Sequence, residues 1–388
     1  MPMQLPTTAA YVYADPLSRH VLRQDHPMRP VRLRYTFELL QVLGAFDGAQ
    51  SQLVPPRIAT EAELLAFHTP DYVAAVRSLS GGLSMPSPGR YGFGHTGDNP
   101  IYPGMYEAAL LSTGASLAGA ELLVTGKAAV AFSPAGGLHH AMPSNASGFC
   151  IFNDPVVAIY ALLARGMKVA YVDIDAHHGD GVQCAFYDTD AVLTVSLHES
   201  GRYLFPGTGF VEEMGSGKGV GYSVNVPLAP YTGDDVYLWA FEEVVPPVLG
   251  AFKPDILVTQ LGIDTYYNDP ITHLALTSRG YSRAVELLAQ QARTLNIPWL
   301  ALGGGGYNLS AVARCWALAY GIMSGRQWPE SVPQETPVEV VTALGKTTLR
   351  DKDAPALPAQ VQEATRRFAE ETIKEVKARV FPFHGLRA

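Results

Sequence analysis

Cysteine is scarce in this chain: three among 388 residues, Cys150, Cys184 and Cys315, far apart and without a Cys-x-x-Cys pair. This excludes a disulfide framework and fits a reducing, cytoplasmic setting, with the thiols expected in the core. Charge is also thin, at 16% of residues, and it is not basic: 36 acidic side chains against 28 basic ones leave a formal net charge of -8. Nucleic-acid grooves and membrane-surface patches need clustered Lys and Arg, so neither partner is expected. No basic stretch followed by an apolar one opens the chain between Met1 and Ala10, and no run of apolar residues reads as a membrane span. Internal repeats and low-complexity linkers are missing too. What remains is a chain 47% hydrophobic, enough to bury a large core.

Five short apolar runs rich in β-branched residues read as buried strands: Ala128 to Phe132, Lys168 to Val172, Ala191 to Leu197, Asp255 to Leu261 and Pro298 to Leu302. Helical patterns at Pro155 to Arg165, Asp234 to Phe252 and Ser278 to Leu295 alternate with them. That alternation predicts an α/β architecture, an open, mainly parallel sheet with helices on both faces, which the length allows as one large domain or two smaller ones. Residues 355–380 read as a C-terminal amphipathic surface helix, and Gly81 to Asn99, dense in Gly, Pro and Ser, as a long loop at a pocket mouth. In open parallel sheets the ligand crevice lies beyond the carboxyl ends of the strands. His139 and His140 follow the first run, Asp173, Asp175 and His177 the second, Asp264 the fourth and Gly303 to Tyr307 the fifth, so the chemically capable residues share one edge.

Asp173, Asp175 and His177 stand at alternate positions, and side chains two apart on a strand point to one side. Two carboxylates, one imidazole and a third carboxylate from elsewhere suit a divalent cation, Zn(II) by default and Fe(II) as the oxygen-rich alternative. The competing reading is that the triplet caps the following helix. Asp264 supplies the third carboxylate, or a turn cap. The tandem His139-His140 needs two partners, and Asp173 and Asp180 are the natural ones. Gly303 to Gly306 lacks the spacing of a dinucleotide loop; it lets the chain turn sharply and brings Tyr307 to where its hydroxyl can donate to an oxyanion, packing being the alternative.

Six segments together resemble the histone deacetylase family, with its bacterial acetoin-utilisation deacetylases and acetylpolyamine amidohydrolases: Gly136 to His140, Gly148 to Asp154, Asp173 to Gly181, Phe205 to Gly209, Gln260 to Asp264 and Gly303 to Tyr307. The likeness runs from His26-Pro-Met-Arg-Pro30 to about Ser324. It implies a single arginase-like α/β domain over residues 1–388 and hydrolysis of N-acetyl amides, acetyl-lysine in proteins or peptides or a small acetylated amine. It implies Zn(II) on Asp175, His177 and Asp264, with Asp173 paired to His139 and Asp180 to His140, the latter the usual base, and Tyr307 polarising the carbonyl. Gly148, Phe149 and Phe205 match the walls of a narrow substrate channel, Asp98 a rim carboxylate and Arg32 an acetate exit route; a turn-forming Asp98 and a surface Arg32 are the alternatives. K+ sites are implied at Asp173, Asp175, His177, Ser196 and Leu197, and at Phe186, Thr189, Val192 and Tyr222. Ile271 stands at the rim where many members carry Leu or Met. Arg202-Tyr203-Leu204 and Tyr266-Tyr267 also differ from the animal enzymes, so a histone preference is not carried over.

Other classes fit less well. A binuclear Mn ureohydrolase needs more ligands, an Fe(II) oxygenase on a β-barrel needs an all-β pattern, and an acyl-lysine binding module has no need of Tyr307 and His140 together.

Overall fold

The computed structural model describes residues 8–94, 97–352 and 356–387. Eight strands form one sheet: β1 (Ala9–Val12), β2 (Ser51–Val54), β3 (Val130–Ser133), β4 (Val169–Asp173), β5 (Val192–Glu199), β6 (Ser223–Leu228), β7 (Ile256–Gln260) and β8 (Trp299–Leu302). Their order is β2-β1-β3-β8-β7-β4-β5-β6 and every neighbouring pair is parallel. The five apolar runs are β3, β4, β5, β7 and β8. The other three have weaker signals: β1 opens on two alanines, β2 is partly exposed, and β6 alternates polar with apolar residues and carries Pro227. Proline is tolerated there because β6 is an edge strand.

Alternate strand residues face two cores. Ala170, Val172, Leu257 and Ala301 pack with the helices Val31–Val42, Asp234–Phe252, Ser278–Leu295 and Leu309–Ser324, while Val169, Tyr171, Val258 and Leu300 pack with the helices Met105–Val124 and Asp154–Leu163. The helix Met105–Val124 corrects the expectation that no segment is apolar enough for a membrane span: its hydropathy reaches 1.2 over 18 residues. Here it is a core helix, and the smallness of its residues lets it seat closely. A Cβ on Gly114 would lie 1.9 Å from the Arg57 carbonyl oxygen and 2.8 Å from the Ala59 nitrogen. Gly114→Ala is therefore expected to destabilise the protein by about 1–3 kcal/mol, the cost of overpacking, read as a lower urea midpoint at unchanged slope.

The tail helix runs over Ala359–Val380; Pro355, where the amphipathic pattern begins, lies outside the described residues, as do Met1 to Thr7 and two positions of the Gly81 to Asn99 loop. Its Ala369, Ile373, Val376 and Val380 are buried, and the Thr372 hydroxyl donates to the Pro227 carbonyl at 3.2 Å, which ties it to edge strand β6. Cys150 and Cys315 are core residues, but Cys184 is exposed, because it lies on the outer side of the short helix Asp180–Phe186.

Candidate metal centre and channel

Sheet order explains why the candidate residues meet. β3, β8, β7, β4 and β5 are consecutive neighbours, and the loops leaving their carboxyl ends carry His139 and His140, Tyr307, Asp264, then Asp175 and His177, then Phe205. Asp175, His177 and Asp264 are all buried, and one ligand atom from each lies within 4.8 Å of the others. His177 Nδ1 is 3.1 Å from Asp175 Oδ1 and 2.9 Å from Asp264 Oδ2. The remaining oxygens are held from outside. Asp175 Oδ2 accepts from Gln260 Nε2 at 2.6 Å and from the Gly305 amide at 2.8 Å, while Asp264 Oδ1 accepts from the Ala176 amide at 2.8 Å. A Cβ on Gly305 would stand 2.1 Å from Asp264 Oδ2, so only glycine lets the backbone come this close.

Asp173 lies outside this cluster. Its Oδ2 is 2.7 Å from His139 Nδ1 and accepts from the Tyr171 hydroxyl at 2.7 Å, and its Oδ1 accepts from the Asp175 amide. His140 Nδ1 is 2.7 Å from Asp180 Oδ1, and the two imidazoles face each other, Nε2 to Nε2, at 3.0 Å. Burial alone would lower both pKa values. For His139 the nearby Asp173 and Asp175 charges outweigh it and push the ring up to about 9, whereas His140, next to His139, falls to about 4. At neutral pH His139 is therefore the protonated ring of the pair and His140 the neutral one, with the His139 Nε2–H facing His140 Nε2. Burial also pushes Asp264 up to about 7, with the Asp175 charge adding to it, and holds the Tyr307 phenol far above its ordinary value, so the phenol keeps its proton.

The cluster lies at the floor of a cavity of about 350 Å³ lined by Asp98, His140, Gly148, Phe149, His177, Phe205, Ile271 and Tyr307. Phe149 sets its edge against the Tyr307 ring, centroids 5.6 Å apart, and Phe205 stands 5.1 Å from the His140 ring on the other side. Asp98 is exposed at the mouth, and His26 Nε2 reaches its carbonyl at 3.0 Å. Arg32 is buried, which overturns its reading as a surface charge. Its guanidinium donates to the carbonyls of Gly304 (2.6 Å) and Gly306 (2.8 Å), its Nε has no partner among the described residues, and it lines a second cavity with Leu17, His20, Tyr102 and Leu138. Ser196 pairs with Asp173 in the β4–β5 register and Leu197 follows it, whereas Phe186, Thr189, Val192 and Tyr222 gather near the starts of β5 and β6.

Supporting residues escaped the sequence. Asp154 is fully buried and takes the Gly137 and Leu138 amides and the Ser116 hydroxyl, while Asn153 Nδ2 donates to the His139 and Ala141 carbonyls, so both shape the loop that carries the imidazole pair. Both lie in the Gly148 to Asp154 segment already singled out, but an Asn-Asp before a helix reads first as a cap, which Asn153 also is.

A sequence profile described as the histone deacetylase domain matches residues 26–323. The acetoin utilization protein AcuC of Bacillus subtilis is 42% identical over 333 residues, covering 84% of this chain and 85% of its own. Human histone deacetylase 1 is 39% identical over 324 residues, 83% of this chain and 66% of its own. Among solved structures, a histone deacetylase homolog from Aquifex aeolicus superposes with a TM-score of 0.81 at 32% identity, covering 94% of this chain and all of its own.

Proposed function

This chain belongs to the histone deacetylase family, and from that membership we propose that it hydrolyses N-acetyl amides, acetyl-lysine in proteins or peptides foremost, to acetate and free amine. The observation that carries the reading is the convergence of a three-ligand cluster, two imidazole–carboxylate pairs and a tyrosine hydroxyl at the floor of one aromatic-walled channel. Asp175, His177 and Asp264 suit one divalent cation, Zn(II) with Fe(II) as the alternative. The two buried carboxylates lie against His177, with His139 3.9 Å from Asp175, and among the described residues no Lys or Arg pairs with either, so the donor set is the oxygen-and-nitrogen one that suits such a cation. Such an ion, when bound, polarises the acetamide carbonyl and lowers the pKa of water.

The chain's own residues do the rest. His140, neutral and oriented by Asp180, accepts the water proton and returns it to the departing amine nitrogen. His139, held by Asp173, keeps positive charge behind His140, and Tyr307 donates its hydroxyl to the developing oxyanion. Phe149 and Phe205 enclose the methylene chain, Asp98 takes substrate main-chain amides at the mouth, Ile271 shapes entry, and Arg32 guides acetate through the second cavity. K+ at Asp173, Asp175, His177, Ser196 and Leu197, and at Phe186, Thr189, Val192 and Tyr222, and a cytoplasmic setting belong to the same proposal.

Gly148 tests the channel. A Cβ there would lie 2.4 Å from His140 Cδ2 and 3.0 Å from Phe205 Cε1. Gly148→Ala is expected to cut kcat/KM by about 10²-fold through displacement of the imidazole. Steady-state kinetics beside a melting curve check this; unchanged kinetics in a folded variant contradict the channel assignment.

The second reading, a small-molecule amidohydrolase for acetylated polyamines, rests on the exposed Asp98 carboxylate, which would attract a distal ammonium. Acetate release from an acetyl-lysine peptide and from an N-acetylated polyamine, compared at equal concentration with the metal-loaded protein, decides between them. Higher kcat/KM on the peptide supports the first reading, and the reverse order supports the second.

A further inference from the structure

Tyr307 follows four glycines, and the chain that aims its hydroxyl is soft: Gly304 and Gly306 have φ of 126° and 131°, a region few other residues enter. A side chain on such a segment needs an external hold to keep one direction. The glycines are held by the Arg32 bonds to the Gly304 and Gly306 carbonyls, by the Gly305 amide on Asp175, and by main-chain bonds that join Gly303 to Ser133 and Leu261 and Gly305 to Ile263. The tie on Tyr307 itself comes from elsewhere: its amide donates to Asp269 Oδ2 at 2.8 Å.

Asp269 also holds the channel rim. Its other oxygen, Oδ1, accepts from the Ile271 amide at 3.1 Å, and Ile271 lines the channel. A second tie runs beside it, Asn308 Nδ2 to the Asn268 carbonyl at 3.0 Å. The rim segment is anchored below. The Asp269 amide donates to the Tyr266 carbonyl at 2.8 Å, and the Tyr266 hydroxyl donates to Asp351, which forms a fully buried ion pair with Arg314 at 3.2 Å. Among the described residues no Lys or Arg forms an ion pair with Asp269; its carboxylate is spent on the two amides.

We propose, resting on the deacetylase reading, that Asp269 is the positioning residue of Tyr307: one carboxylate fixes both the rim at Ile271 and the direction of the catalytic hydroxyl. Rim and tyrosine therefore move together, and a substrate that seats well at the mouth finds the hydroxyl aimed.

Asp269→Asn keeps the shape but replaces one acceptor oxygen with an NH2 that faces an amide donor. Kcat is expected to fall about 10–10²-fold, as for a reacting group displaced by a fraction of an ångström, with KM within about twofold. The decisive measurement is the double variant. If Asp269 acts through the hydroxyl, Asp269→Asn lowers single-turnover rates in wild type but not in Tyr307→Phe; losses that multiply overturn the proposal. Hydrogen exchange of the peptide 303–307 needs no turnover: it is expected to quicken at least about tenfold in Asp269→Asn, with the β3 peptide 130–133 unchanged. Unaltered exchange overturns the hold on Tyr307 even if no acetylated substrate is turned over, an outcome that on its own would reject the deacetylase reading instead.

Discussion

Tyr307→Phe is expected to lower kcat on an acetylated peptide by about 10²–10³-fold with little change in KM, the loss typical of a single oxyanion donor. The hydroxyl has the attributes such a donor needs. It stands on the channel with its ring braced by Phe149, and burial, with Asp264 and Asp175 nearby, keeps its proton in place at any working pH. Phenylalanine preserves the ring and removes only the donor. Steady-state kinetics together with the affinity of a non-hydrolysed acetyl-lysine analogue check the prediction. Lost turnover with retained binding marks an enzyme; full turnover without the hydroxyl would mean that the oxyanion is held elsewhere.

A still larger effect is expected at the ligands. Asp264→Asn removes one of two carboxylates from the buried cluster and turns an NH2 towards either the Ala176 amide or His177 Nδ1, both of which need an acceptor or a cation. Metal binding and turnover should fall well beyond the ~10–10²-fold that loss of an outer partner causes. Gln260 provides that milder comparison. Its Nε2 donates to Asp175 Oδ2 and its Oε1 accepts from the Gly262 amide, so Gln260→Ala is expected to weaken metal affinity by ~10–10²-fold and leave a functional site at saturating metal. Metal content after dialysis, measured beside activity, checks both. An Asp264→Asn protein that retained metal and turnover would remove Asp264 from the ligand set.

The candidate site residues were legible because they sit at strand ends in runs whose periodicity is unambiguous: four of five apolar strands deliver His139 and His140, Asp175 and His177, Asp264 and Tyr307 to one edge. Sheet order was not legible. Nothing local to β3 and β8 says that they are neighbours, yet that pairing sets the imidazole pair beside the Gly303 to Tyr307 loop. Strands β1, β2 and β6 were missed because β1 opens on two alanines, β2 is a partly exposed edge strand and β6 an edge strand that carries a proline. The apolar helix Met105–Val124 was passed over because Gly, Ser and Thr interrupt it, the same small residues that let it pack in the core. Asp154 and Asp269 were invisible for a different reason. Each acts by accepting main-chain amides brought close by the fold, and an aspartate in a loop carries no sign of which amides it will meet.

Titration of metal-free protein with Zn(II), followed by acetate release from an acetyl-lysine peptide, tests the central claim most directly. Activity should be absent at the start, rise in proportion to metal and level off at one equivalent, with amine and acetate formed in equal amounts. Turnover that survives complete metal removal, or a plateau only at two equivalents, would contradict a single cation held by Asp175, His177 and Asp264.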